Sequence, residues 1–275
     1  MNSRKSLNYI SLLKIEWLKI KSYRTFWVLA ILSFISLAGI SYIVWYGQEQ
    51  VAHNANTMGG AAMLGSPFQF PDVWQTVSWI SSFIITLPGL LVIILTTNEY
   101  NYKTHRQNII DGISRMQFIG TKILLVTKIA AIFTILNFLV ALLFGLALSA
   151  SFFSFDRIEY IGYFFLQSLS YLYLALLFSV LFKRSGLAIA LYILYALIIK
   201  NILWAVFRSN INKEAGNYIP LKSTDVLIPF PFLRRIVDQM LPLPKLEPVP
   251  LLIASFVYLF LFVFICTRIY KKTDL

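Results

Sequence analysis

The chain has 275 residues, 58% of them hydrophobic and 13% charged, with a formal net charge of +12. This composition excludes a soluble globular domain, because apolar runs of about 20 residues recur and each suffices to cross a hydrocarbon core of roughly 30 Å. The basic residues cluster beside those runs, where anionic lipid and membrane orientation account for them, so the charge does not point to nucleic acid.

Residues 1–25 carry Arg4, Lys5, Lys14, Lys19, Lys21 and Arg24 and contain no run long enough to span. At about 100° per residue, Tyr9, Ile10, Leu13, Trp17 and Ile20 share one face bounded by Glu16 and Lys21, which predicts a helix lying in the interface. Leu12, Ile15 and Leu18 fall on its other side, so this helix also packs against protein. The first span is expected over 26–46, with Trp27 and Trp45-Tyr46 as aromatic anchors. The span is too long for a cleaved secretory signal. The stretch from Gly47 to Gln75 has no Lys or Arg, which marks it as external. His53 has no neighbouring ligand type there and reads as a loop residue rather than a metal ligand.

The second span, 77–97, contains Pro88-Gly89, where a missing amide beside a flexible residue bends a helix. The bend reads either as a hinge that shapes a pathway or as an inert kink. Glu99 comes next, close to headgroups and four residues from Lys103. Residues 98–116 are the polar loop between two spans that has an ordered helical pattern. Thr104 with Gln107, and Ser114 with Gln117, both match the capping box that opens a helix. With Asp111-Gly112 between them, the pattern predicts a short helix from about Thr104 to Ile110, a turn at Gly112, and a second helix entering the membrane. Ile109, Ile110 and Ile113 offer an apolar knob, and Lys103, Arg106 and Arg115 supply charge for a protein partner. From the residues alone, an ordinary basic loop is an equal alternative.

The third span, 117–153, is longer than one crossing requires and holds Lys128, which can snorkel, and Asn137, which suits hydrogen bonding between helices. Spans four and five are expected over 161–182 and 187–207, joined by a tight basic turn at Lys183-Arg184-Ser185-Gly186. In span four, Gln167, Ser168 and Ser170 are candidates to face other helices. In span five, Tyr192 and Tyr195 either line a pathway or pack, and Lys200 is expected to snorkel outward. Residues 208–250 are polar and then punctuated by prolines, with a half-inserted helix expected from Ile228. A last span, 251–267, ends at Arg268, Lys271 and Lys272. Placing both termini in the cytoplasm puts fifteen Lys/Arg inside and seven outside, as the positive-inside rule favours.

Some chemistry is missing from the sequence. It contains no Gly-x-x-x-x-Gly-Lys-Ser/Thr loop to cradle phosphates and no His-Glu-x-x-His helix for a catalytic metal. Its lone Cys266 lies in the last span, which leaves no internal disulfide. The span centres also lack the paired acidic residues that a proton-coupled carrier needs.

Glu99, the Lys103-Thr104-x-Arg106 run, the Gly112-x-Ser114-Arg115 turn and Lys122 resemble the loop after the second span of ABC-2-type permeases, the membrane halves of bacterial ATP-driven exporters. The start, Ile15-Glu16-Trp17-x-Lys19-x-Lys21 and then Arg24-Thr25-Phe26-Trp27, is similar to the start of the same family, which includes permeases for bacitracin and lantibiotics. One departure is the lack of the proline that many members carry near Gly112.

The resemblance implies an all-α membrane protein: a single ABC-2-type transmembrane domain of six helices, with an interfacial N-terminal helix and a short cytoplasmic coupling helix. It assigns ATPase coupling to Glu99, Lys103, Thr104, Arg106, Ile109, Ile110, Gly112, Arg115 and Lys122, while Pro88, Gly89, Tyr192 and Tyr195 stay hinge or pathway candidates on the reading of the residues themselves. It implies a transport subunit rather than an enzyme, without metal or cofactor of its own, since ATP and Mg belong to a partner ATPase. A second permease half, a copy of this chain, and membrane lipids are the other expected partners. The location implied is the bacterial cytoplasmic membrane, and the cargo is an amphipathic or hydrophobic molecule moved outward. Two alternatives stay open: a non-transporting scaffold that transmits force or signal, and a secondary carrier driven by an ion gradient.

Overall fold

Lipid offers no partner for a bare amide or carbonyl, so long apolar runs must close their hydrogen bonds within helices. The computed structural model describes residues 9–56, 66–102, 104, 107, 110, 113–149, 152–212, 214–232 and 247–272, and these form helices and connecting turns without a strand. In chain order they are α1 (Tyr9–Lys21), α2 (Arg24–Asn56), α3 (Val73–Ile84), α4 (Thr86–Asn101), α5 (Arg115–Leu148), α6 (Glu159–Phe182) and α7 (Ser185–Ile193). A π-helical segment (Leu194–Ile199) leads into α8 (Lys200–Asn210). A 3-10 turn (Ala215–Tyr218), α9 (Lys222–Val226) and α10 (Pro248–Lys272) complete the described fold.

Among the described residues, five crossings are long and apolar enough to span a membrane: α2, α5, α6, the α7–α8 unit and α10. The pair α3 and α4 makes a sixth if counted as one broken span. Several elements run past their expected limits. The first helix continues to Asn56, through residues expected to be loop, and the second crossing starts at Val73 rather than at residue 77.

The bend between α3 and α4 is 42° and centres on Ile85. Pro88 has no amide to donate to the carbonyl four residues earlier, at Ile84, and its ring crowds that carbonyl. The break therefore falls one turn before the Pro88-Gly89 pair rather than on it.

Helix α6 is the axis of the bundle, with 78% of its membrane window buried by the other helices. Small and polar residues make this possible: Ser168, Ala175 and Ser179 are fully buried and let neighbouring backbones approach, which is how helices pack where lipid removes the hydrophobic drive. The main core gathers Phe164, Leu172 and Leu176 of α6 with Leu91, Ile93, Ile129, Tyr192 and Phe262. A second cluster surrounds Trp74, whose ring lies parallel to Phe138 at 5.4 Å and whose indole nitrogen donates to the Ser154 carbonyl. Asn137 is buried between α5 and α3, donating to Ser78 Oγ at 2.9 Å and accepting from Ser81 Oγ at 2.8 Å, the interhelical role expected of it.

Both ends of the described chain lie at one end of the bundle, the terminal end. Glu16 of α1 meets Lys122 near the start of α5 there, and the Lys271 carbonyl of α10 meets Arg115 at the same start. The opposite end of the bundle is the distal end.

Candidate functional site

Among the described residues, two largely buried ion-pair constellations stand out in this apolar bundle, one toward each end. At the terminal end, α1 turns Glu16 and Ile20 inward and leaves Trp17 and Leu18 exposed. Glu16, expected at the border of the apolar face, is thus turned inward with Ile20. Glu16 is only 6% exposed because Lys122 receives it: the ammonium lies 2.6 Å from Glu16 Oε2 and 2.6 Å from Glu99 Oε1. One lysine of α5 thus sits between two carboxylates, one from α1 and one from α4. A buried charge needs such partners, since desolvating a lone ion costs several kcal/mol, roughly.

The Glu99 partner expected from spacing, Lys103, lies outside the described residues, as do Arg106, Ile109 and Gly112. The described partner of Glu99 is Lys122, 23 residues away in the chain.

The surroundings reinforce this junction. Phe118, one turn before Lys122, stacks on Tyr270 of α10 with centroids 5.0 Å apart and faces the lysine ammonium at 5.3 Å. Arg115 donates to the Lys271 carbonyl at 2.9 Å, which satisfies an unpaired carbonyl of the last turn of α10. Asn98 donates to the Tyr23 hydroxyl between α1 and α2. Both roots of the 98–116 loop are therefore fastened to the helices at the chain's ends.

The capping box at Ser114 is complete: Ser114 Oγ accepts from the Gln117 amide at 3.1 Å and Gln117 Oε1 accepts from the Ser114 amide at 3.0 Å. At the other candidate box, the Thr104 hydroxyl turns back and donates to the Glu99 carbonyl at 3.4 Å. Thr104, Gln107 and Ile110 are helical and exposed, and Tyr102 and Ile110 each show about three quarters of their surface, 73% and 75%.

At the distal end, the fifth crossing departs from regular α-helix. Six residues, Leu194–Ile199, are wound as π-helix, and Lys200 comes directly after them. A π turn is wider than an α turn and rotates the facing of every later residue in the helix, a device found often at functional sites. Lys200 does not snorkel outward as expected from its position. It is 7% exposed, paired with Asp225 of α9, and it donates to the Tyr171 hydroxyl of α6. Asp225 Oδ1 also accepts from the Tyr171 hydroxyl at 2.9 Å and from Gln167 Nε2 at 2.9 Å. Gln167 in turn accepts from Ser82 Oγ at 2.8 Å. A carboxylate with three donors is neutralised and held in one orientation.

This network forms one wall of an open cavity of about 380 Å³. Its other walls are aromatic and amphipathic: Trp79 and Phe83 of α3, Asn201 of α8, Lys222 of α9 and Phe230 beyond it. Trp79 stands edge to face with Phe83 at 4.7 Å and with Phe230 at 5.1 Å. Gln75 Nε2 donates to the Pro229 carbonyl at 2.9 Å and fixes the segment bearing Phe230 to α3.

The hinge and pathway candidates lie elsewhere. Tyr192 is fully buried against Gly89: a Cβ added to that glycine would come 2.5 Å from the phenol Cζ, so only glycine lets α4 approach α7 this closely. Tyr195 is half-buried and donates to the Pro220 carbonyl at 3.2 Å. Neither tyrosine lines the cavity.

Sequence reasoning did not single out Glu16 as a partner of Lys122, nor Asp225 at all. In each case the signal available was a lone charge in an apolar context, which demands a partner without naming it.

A family model described as "ABC-2 family transporter protein" matches residues 12–199. The matched stretch takes in the Glu16–Lys122–Glu99 junction and the crossings up to the π segment, and it stops just before Lys200. No curated protein matches the chain.

Proposed function

Because the chain belongs to the ABC-2 family of transporter proteins, we propose that it is the permease subunit of an ATP-driven exporter, moved by ATPase subunits on separate chains. No phosphate-cradling loop is present in the sequence, so the energy for transport comes from a partner. The terminal end faces the cytoplasm of a bacterial cell in this reading, and the 98–116 loop is the surface on which the ATPase acts.

The observation that carries the reading is the anchoring of that loop. A surface segment transmits force only if its roots are stiff. Here one root carries Glu99, the other carries Lys122, and the two are joined to each other and to α1 by buried ion pairs. A push on exposed Ile110 therefore tilts α4 and α5 together instead of bending a slack loop. With a second copy of the chain across a central path, such tilting alternates access between the two sides of the membrane. The cargo is amphipathic or hydrophobic, in keeping with the family.

The test replaces Arg106 with Glu and Ile110 with Asp in one chain, co-expressed with a candidate partner ATPase. Arg115 is left intact because its guanidinium already holds the Lys271 carbonyl. The expected result is a folded chain that no longer co-purifies with the ATPase and no longer stimulates ATP hydrolysis in proteoliposomes. Full recovery of the ATPase with this double variant would refute the assignment of the loop. An intact complex whose hydrolysis never responds to any amphipath would favour the scaffold reading.

A further inference from the structure

The distal cavity contains two lysines and one aspartate, and their commitments differ. Asp225 is saturated by Lys200, Tyr171 and Gln167, and Lys200 is buried against Asp225 and Tyr171. Neither is free to meet a ligand without dismantling the wall. Lys222 is different: it is partly exposed, its ammonium lies 3.3 Å from Asn201 Oδ1, and it sits over the Trp204 ring at 5.0 Å. An amide oxygen at that distance and one aromatic face leave an ammonium with donors to spare. The ion pair cancels, so the cavity presents one unmatched positive charge.

The rest of the wall is suited to something apolar. Phe83 and Phe230 are 64% and 50% exposed, and with Trp79 they form a continuous aromatic surface running from the cavity to the outer face of α3. At about 380 Å³ the cavity has the size of a small-molecule or headgroup site and is too small for a whole peptide antibiotic.

We infer that this cavity binds the anionic headgroup of an amphipath, with Lys222 as the ligand of a phosphate or carboxylate and Trp79, Phe83 and Phe230 as the seat of its apolar chain. The Lys200–Asp225–Tyr171–Gln167 network holds the wall rigid and rejects cations, because its carboxylate is already neutralised. The same headgroup chemistry can arrive from the bilayer as an anionic lipid or from solution as a free amphipath. The inference refines the cargo class of the exporter reading, yet it concerns a binding event that needs no ATPase. The residues that form the charged wall, Lys200, Lys222 and Asp225, all lie beyond the stretch matched by the family.

The experiment uses the full chain without ATPase, in nanodiscs of phosphatidylcholine, with indole fluorescence as the readout, since Trp79 and Trp204 flank the site. Dodecyl phosphate is expected to bind saturably, and Lys222→Gln to weaken it by about tenfold or more, the scale of one hydrogen bond to a charged group. Lys222→Arg is expected to retain binding, and an unchanged melting temperature of both variants shows that folding is not at issue. In a second arm, discs containing phosphatidylglycerol are titrated: competition identifies the bilayer as the source, and its absence identifies a free amphipath. The inference is overturned by equal affinity for dodecyltrimethylammonium, by inorganic phosphate competing as strongly as dodecyl phosphate, or by Lys222→Gln binding like the parent. Any of these leaves the ATPase association of the permease untouched, and a failure of that association leaves this result untouched.

Discussion

Lys122 and Glu16 meet at 2.6 Å across 106 positions of sequence, and Lys122 holds Glu99 at the same distance. Removing the lysine would leave two carboxylates facing each other in a buried site. Lys122→Met is expected to destabilise the fold by about 3–5 kcal/mol, the usual penalty for orphaning a buried charge. Thermal unfolding in detergent checks this. Adding Glu16→Gln and Glu99→Gln to the same chain is expected to recover much of the loss, and no recovery would mean that Lys122 acts by packing on Phe118 rather than by charge.

At the bend of the second crossing, the predicted effect is steric. Gly89→Ala pushes a methyl group into the Tyr192 phenol and is expected to cost roughly 1–3 kcal/mol, as overpacking does. The Tyr192 hydroxyl has no hydrogen-bond partner among the described residues. Tyr192→Phe alone is therefore expected to be neutral or slightly stabilising, because it removes an unsatisfied polar group. A large loss of melting temperature with Tyr192→Phe would show that the hydroxyl has a partner essential to the fold.

The distal network makes a prediction in which the partner's identity matters. Asp225→Asn leaves Lys200 buried without its counter-charge, so the variant is expected to be less stable than the parent. Combining it with Lys200→Met is expected to restore stability, since the pair is then replaced by groups that need no counter-ion. A double-mutant cycle measures the coupling directly, and additive effects would show that the two residues do not depend on each other.

Lys222 supplies a pH signature. Burial lowers its pKa from the ordinary lysine value, and the nearby Lys200 ammonium lowers it further against the opposing pull of Asp225; Arg208 shares the Trp204 ring with it. For a lysine the charged form is the acidic one, so its charge is lost, on raising the pH, earlier than in free lysine. Binding of dodecyl phosphate, which keeps its full charge well above its second pKa of about 6, is expected to weaken over that alkaline range. Lys222→Arg should flatten the profile, because a guanidinium stays charged throughout. A profile unchanged by this substitution would assign the titration to another group.

Local physics was readable from the sequence, whereas long-range pairing was not. The capping box at Ser114 spans four residues and appears as written, and the amide that Pro88 lacks fixes the break near Ile84 by simple counting. Asn137 was recognisable because a buried amide between spans has few other uses. Glu16 was different. In a helical projection it sat at the edge of an apolar stripe, and only the position of α1 against α5 turned that edge inward. Lys200 misled for a related reason: a regular α-helix would set its facing by a constant angle per residue, and the π segment before it breaks that constancy. Its partner Asp225 comes from a helix of five residues, too short to announce itself by periodicity. Lys103, Arg106, Ile109 and Gly112 lie outside the described residues, and of these the experiment on the loop tests Arg106.

A π segment is in effect an α-helix carrying one surplus residue, and that surplus sets the direction of everything after it in the fifth crossing. Deleting Ile198, which is exposed and lies off the cavity wall, would let the stretch Leu194–Ile199 rewind as ordinary α-helix and swing Lys200 by about 100° about the helix axis. The ammonium would leave Asp225 and point at hydrocarbon. The electrostatic character of the distal chamber thus depends on the length of this crossing as well as on the identity of its residues, so the gain or loss of a single codon re-tools the chamber without replacing any side chain that lines it.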